Sequence, residues 1–131
     1  MNFSQAIQSG FSNYTKFTGR AGVMEFWYWV LFTILGTIAS GILDAVLFPP
    51  MSYWSPLSDI FTLVTFLPGI AVSIRRLHDT DRTGWWFLLV FIPLLGTLLL
   101  IVWWIQQGSA GDNQYGANPL PGGRLGARTG A

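Results

Sequence analysis

Residues 85–105 (WWFLLVFIPLLGTLLLIVWWI) run for 21 positions without a charge. No water-exposed element accommodates such a stretch. As a helix it would rise about 32 Å, close to the thickness of a bilayer's hydrocarbon core. Trp85-Trp86 opens it and Trp103-Trp104 closes it, and indole rings favour the headgroup level. Two more apolar runs precede it. Residues 26–48 hold one charge, Asp44, and start with Phe26-Trp27-Tyr28-Trp29. Residues 57–74 are shorter, with Asp59 near the start and Pro68-Gly69 inside.

Composition agrees. Only 10% of the 131 residues are charged, against about 25% in soluble domains. The chain therefore reads as all-α and integral to a membrane, with three transmembrane helices at 26–48, 57–74 and 85–105. Before them, Phe3, Ile7, Phe11, Tyr14 and Phe17 recur with a helical period. They predict an amphipathic helix over 3–17 lying in the membrane interface; packing onto the protein itself is the alternative. Residues 1–106 form one membrane domain. Residues 107–131, rich in glycine and lacking an apolar period, read as a flexible tail with a local docking motif at 112–116. The first apolar run follows a long polar lead and no small-x-small site comes after it, so it reads as a retained span.

Lys16, Arg20, Arg75, Arg76 and Arg82 fall on one side of such a three-span chain, and the Pro-rich turn at 49–56 carries no Lys or Arg. Basic residues stay cytoplasmic. This predicts a cytoplasmic N-terminus and, after three crossings, an extracytoplasmic C-terminus.

Small residues at Gly36 and Ser40, and at Thr37 and Gly41, permit close helix packing. Asp44 and Asp59 lie near the uncharged turn, where each can reach the interface or cap a helix; a shared cation or proton relay is the sharper alternative. Arg20 and Glu25 read from spacing as a solvated pair before the first span, with folding back onto the 75–86 strip as the other option.

That strip, Arg75-Arg76-Leu77-His78-Asp79-Thr80-Asp81-Arg82-Thr83-Gly84-Trp85-Trp86, concentrates the chain's chemistry. Its plain reading is a turn in which cations complement a helix C-terminus, Asp79 pairs with Arg75 or Arg82, and Asp81 or Thr83 caps the next helix. A recognition reading adds Arg20 and Glu25 to Arg75, Arg76, His78, Asp79, Asp81, Arg82, Trp85 and Trp86 as a cytoplasmic cluster. It would hold anionic lipid headgroups, a membrane-protein partner or a second copy of the chain. A metal-dependent lipid-headgroup enzyme built on His78, Asp79 and Asp81 fits no ligand spacing, since the chain holds one histidine. A small oligomeric transporter or channel subunit is a further alternative. With no cysteine, thiol catalysis is excluded. We expect no enzyme activity, cofactor or metal, and with a net charge of +1 no nucleic-acid partner.

Three motifs resemble a known family. They are Phe17-Thr18-Gly19-Arg20-Ala21 with Glu25-Phe26-Trp27; Ser73 to Thr80 with Gly84-Trp85-Trp86 and Pro93; and Gly111-Asp112-Asn113-Gln114-Tyr115-Gly116 with Asn118-Pro119. Together they resemble the family of bacterial inner-membrane proteins called domain of unknown function 805. The family usually has a second basic residue before the glutamate, where this chain has Val23-Met24, and Asn-Arg-Tyr-Gly where it has Gln114. The resemblance implies a cytoplasmic-membrane protein and no particular activity. It also implies that Arg20, Glu25 and the strip belong to one cluster.

Overall fold

The structure, a computed structural model, describes residues 2–48 and 55–119. Every regular element among them is helical. Tyr53 and Trp54, expected at the far interface, and the tail beyond 119 lie outside the described residues.

Helix α1 spans Phe3–Ser12. Asn2 accepts from the Gln5 amide and Gln5 reciprocates, satisfying two otherwise orphaned N–H groups. The helix is shorter than the expected 3–17. Its apolar side, with Ala6 and Gly10 buried, lies on the next helix, and the Phe11 ring meets Trp29 edge-on at 5.2 Å. The face read as interfacial thus packs, at least in part, on the protein.

Helix α2 covers Val23–Leu47 and α3 covers Pro56–Asp79. Both are long and apolar enough to cross a membrane, at about 37 and 36 Å. They run antiparallel: Glu25 at the start of α2 meets Arg75 near the end of α3, and Asp44 near the end of α2 meets the start of α3. The Phe61 ring lies where a side chain at residue 36 would be, so Gly36 packs against α3. Gly41 faces open space. Asp44 accepts from the backbone N–H groups of Leu57 and Ser58 at 3.0 and 2.9 Å. It is Asp44, from the neighbouring helix, that caps α3, while Asp59 is exposed.

Residues 85–105 do not form one helix. A 3₁₀ helix over Gly84–Phe91 is followed by a break at residues 92–94 and then α4, Leu95–Ile105. The two arms fold back on each other. Trp86 meets Trp103 at 5.5 Å and Phe87 meets Trp104 at 6.5 Å. Near the tip, Gly96 presses so close to the Leu89 carbonyl that no β-carbon would fit. Proline supplies no N–H and ends the first arm. Leu94, at φ 66° and ψ −66°, then makes a γ-turn closed by a bond from the Leu95 N–H to the Pro93 carbonyl at 2.8 Å. The arms match: eight residues at the 3₁₀ rise and eleven at the α rise each come to about 16 Å. The expected third span is therefore a hairpin of two half-length arms. Its two tryptophan pairs sit at one end, and residues 106–119 return to the end holding Arg20 and Asp79. Residues 106–119 and α1 thus lie at the same end of the bundle.

Burial is inverted relative to a soluble protein. Val46 and Phe91 are 74% and 78% exposed, while Arg76 is 0% exposed and Asp79 3%. In water this would uncover apolar surface and strip charges of solvent together.

Candidate functional site

Six charged or titratable groups converge at the end of the bundle opposite Asp44. Arg75, Arg76, His78 and Asp79 come from the last turns of α3, Glu25 from the first turn of α2, and Arg20 from the loop before it. All six are buried. The glycine-containing loop makes this possible: Gly19 takes φ +88°, and the Ala21 N–H donates to the Arg75 carbonyl at 3.0 Å.

Asp79 is the hub. One carboxylate oxygen accepts from Arg20 Nε at 2.9 Å and the other from Arg76 Nη1 at 2.5 Å. The expected pairing with Arg75 or Arg82 is not formed; Asp79 takes Arg76, three residues earlier, and Arg20 across the fold. Arg20 spends its remaining donors on the carbonyls of Ser109, Gly111 and Gly116 at 2.9, 2.7 and 3.2 Å. Arg76 donates to the Trp104 carbonyl at 3.1 Å and to that of Gln106. Planar guanidinium forks suit this multiple bonding. Arg75 holds Glu25 at 2.9 Å, and Ser9 of α1 donates to the same glutamate oxygen at 2.8 Å. The cluster thus ties α1, α2, α3, the end of α4 and the following segment into one knot.

The segment after α4 is part of this construction. The Ser109 N–H donates to the Asp79 carbonyl at 2.7 Å, and Asn113 donates to that of His78 at 2.9 Å. Gly108 lies against the Asp79 carboxylate, where a β-carbon would fall 2.0 Å from an oxygen. The tail, expected to be flexible with local docking at 112–116, docks over residues 107–119, while 120–131 lie outside the described residues. Tyr115 stacks on His78, with centroids 4.1 Å apart and planes 2° off parallel. Partial burial and then the Asp81 carboxylate push the Tyr115 phenol up, so it remains neutral. His78 Nδ1 faces the Gly19 carbonyl at 2.9 Å.

Asp81, Arg82, Trp85 and Trp86 lie outside the knot. Asp81 is exposed, at φ +61°. Arg82 makes no ion pair among the described residues; its guanidinium sits 4.4 Å above the Trp103 ring, which touches Trp86. Trp85 is 79% exposed. Thr83 precedes the 3₁₀ helix but makes no side-chain cap. His78, Asp79 and Asp81 do not converge on a metal position among the described residues, and Asp79 is already engaged at both oxygens. Asp44, one of the two carboxylates of the relay reading, is engaged with backbone N–H groups; Asp59, the other, is exposed. The sequence reading missed Ser9, Trp103 and Gly108. Only Trp103 carried a signal, as one of the belt residues.

A model of the DUF805 family, described as a protein of unknown function, matches residues 14–117. The chain belongs to this family. The match takes in Arg20, Glu25, the whole strip and the docked segment as far as Ala117. Inner membrane protein YhaI of Escherichia coli (strain K12) is 42% identical over 107 residues, covering 82% of this chain and 88% of the relative. Inner membrane protein YhaH of the same strain is 43% identical over 108 residues, covering 82% and 89%. The uncharacterized protein YiiR is more distant, at 27% identity over 127 residues, covering 77% and 84%. No solved structure matches.

Proposed function

We propose that this chain is a polytopic inner-membrane protein that binds anionic lipid headgroups at the cytoplasmic face and performs no catalysis. It crosses the bilayer twice, through α2 and α3, and inserts the 84–105 hairpin as a re-entrant element. The inner-membrane location draws on the names of YhaI and YhaH. The two crossings draw on helix length and on the outward apolar surface. Local bonds satisfy most of the donors at the break. The N–H groups of Ile92, Leu95 and Gly96 are bonded to Leu89, Pro93 and Ile92 carbonyls. Orientation follows the basic residues. Lys16, Arg20, Arg75, Arg76 and Arg82 share one end with the 106–119 segment, so both described ends of the chain are cytoplasmic.

One observation carries the binding reading. Arg20 and Arg76 spend their donors on Asp79 and on backbone carbonyls, and Arg75 meets Glu25 through Nη1 while its Nε and Nη2 stay buried without a partner among the described residues. Arg82 makes no ion pair among them and is held over Trp103 at the hairpin base, with Trp86 against that ring and Gln106 Oε1 at 3.4 Å. A cation on an indole platform at headgroup level suits a lipid phosphate. The wider cluster first read as the ligand site serves instead to fix that platform. A partner protein or second copy would use the same exposed face and is an outcome of the test. The protein, reconstituted with mixed anionic and zwitterionic lipids and released for native mass spectrometry, should retain anionic lipid preferentially. Arg82→Ala should cut that preference about five-fold. Unchanged retention would overturn the assignment.

A further inference from the structure

A recess of about 270 Å³ opens beside the strip, lined by Phe17, Ile74, His78, Gly84 and Trp85. Four of these residues offer carbon surface. His78 is the exception, and its environment determines which of its atoms is available. Nδ1 lies 2.9 Å from the Gly19 carbonyl, an acceptor, so a singly protonated imidazole carries its proton there. Nε2 then presents a lone pair. No hydrogen bond to Nε2 is formed among the described residues, and a β-carbon added at Gly84 would sit 3.5 Å from it. Stacking on Tyr115 fixes the plane of the ring. A pre-oriented acceptor therefore faces an apolar recess whose outer wall, Trp85, is largely exposed.

The complementary ligand donates a hydrogen bond and brings an apolar body. The charge around the recess narrows the donor. Lys16, Arg20, Arg75, Arg76 and Arg82 outnumber Glu25, Asp79, Asp81 and Asp112 by one at this end of the bundle, which disfavours an ammonium group and favours a neutral hydroxyl carried on an anion. We propose that this recess binds the headgroup of a hydroxyl-bearing anionic phospholipid, one headgroup hydroxyl donating to His78 Nε2 while the lipid body lies against Phe17, Ile74 and Trp85. The proposal rests on the lipid-binding reading above and adds selectivity to it: Arg82 attracts any anionic headgroup, and His78 distinguishes those with a free hydroxyl.

Two lipids of equal charge separate the two ideas. Phosphatidylglycerol carries free hydroxyl groups; phosphatidylmethanol carries the same phosphodiester and none. The full chain is reconstituted with equal amounts of both in phosphatidylcholine, and the lipids it retains are quantified by native mass spectrometry. Retention of phosphatidylglycerol should exceed that of phosphatidylmethanol about five-fold, as one net hydrogen bond provides. His78→Asn keeps an amide donor near the Nδ1 position for the Gly19 carbonyl and removes the Nε2 acceptor; the ratio should fall to about one. Gly84→Ala, combined with Ile74→Ala because the added β-carbon would fall 2.6 Å from the Ile74 Cγ2, sets a methyl 3.5 Å from Nε2 and should lower the ratio similarly without altering the imidazole. Equal retention of the two lipids, both enriched over phosphatidylcholine, overturns the His78 assignment and leaves lipid docking intact. No enrichment of either overturns both. A five-fold ratio that survives in both variants places the selectivity elsewhere and overturns the inference.

Discussion

Arg20 and Asp79, 59 residues apart in the chain, meet at 2.9 Å with their side chains 1% and 4% exposed. The pair joins the loop before α2 to the last residue of α3, and Arg76 closes on the other carboxylate oxygen. A buried carboxylate between two guanidinium groups is strongly coupled to both. Removing it leaves two cations desolvated and uncompensated, a loss of about 3–5 kcal/mol for a buried pair. Asp79→Asn should therefore lower the thermal unfolding temperature in detergent sharply and loosen the 106–119 segment to protease. Loss of less than about 1 kcal/mol, the range of a solvated surface pair, would show that the knot is not closed.

The returned hairpin makes a topological prediction. Gln8 on α1 and Ala117 in the docked segment are both exposed and should lie on one side of the membrane, with Ser55 at the start of α3 on the other. The chain has no cysteine, so single cysteines at these three positions can be introduced without background. A membrane-impermeant maleimide added to inverted vesicles should label Gln8→Cys and Ala117→Cys, and not Ser55→Cys. Labelling of Gln8→Cys and Ala117→Cys from opposite sides would restore three complete crossings.

The same hairpin marks where reading the sequence stops. Apolar length alone specifies α2 and α3, because a helix must satisfy every backbone donor away from water. Tryptophan pairs at 85–86 and 103–104 correctly mark two ends of an apolar run. They do not say that the ends lie apart, and both pairs sit at one end of the hairpin. Pro93 ends the first arm; the reversal also needs Leu94 at positive φ and Gly96 against the Leu89 carbonyl, neither of which a hydropathy pattern encodes. Spacing reads Arg20 and Glu25 as solvated, yet both are buried; only their recurrence with the strip in one family pattern joined them. The docked segment was legible only at 112–116, for a different reason. Arg20 and Arg76 grip its backbone carbonyls, and carbonyls leave no mark in a sequence.

Asp44 offers a test of role by graded substitution. Its two oxygens accept from Leu57 and Ser58 N–H groups at the first turn of α3, where otherwise no side chain caps the helix. If this capping is its role, the number of acceptors should set the effect. Asp44→Asn retains one acceptor oxygen; Asp44→Ala retains none and leaves both donors of the first turn without their partner. Thermal unfolding in detergent should rank the native chain first, Asp44→Asn second and Asp44→Ala last, with a drop of a few degrees for alanine and about half of that for asparagine. An ionisable relay gives a different pattern: asparagine and alanine abolish the charge equally, so ion flux in proteoliposomes would be lost equally in both, with no ordering by acceptor count. Equal unfolding temperatures for the two variants, together with a flux that both eliminate, would replace the capping role with transport.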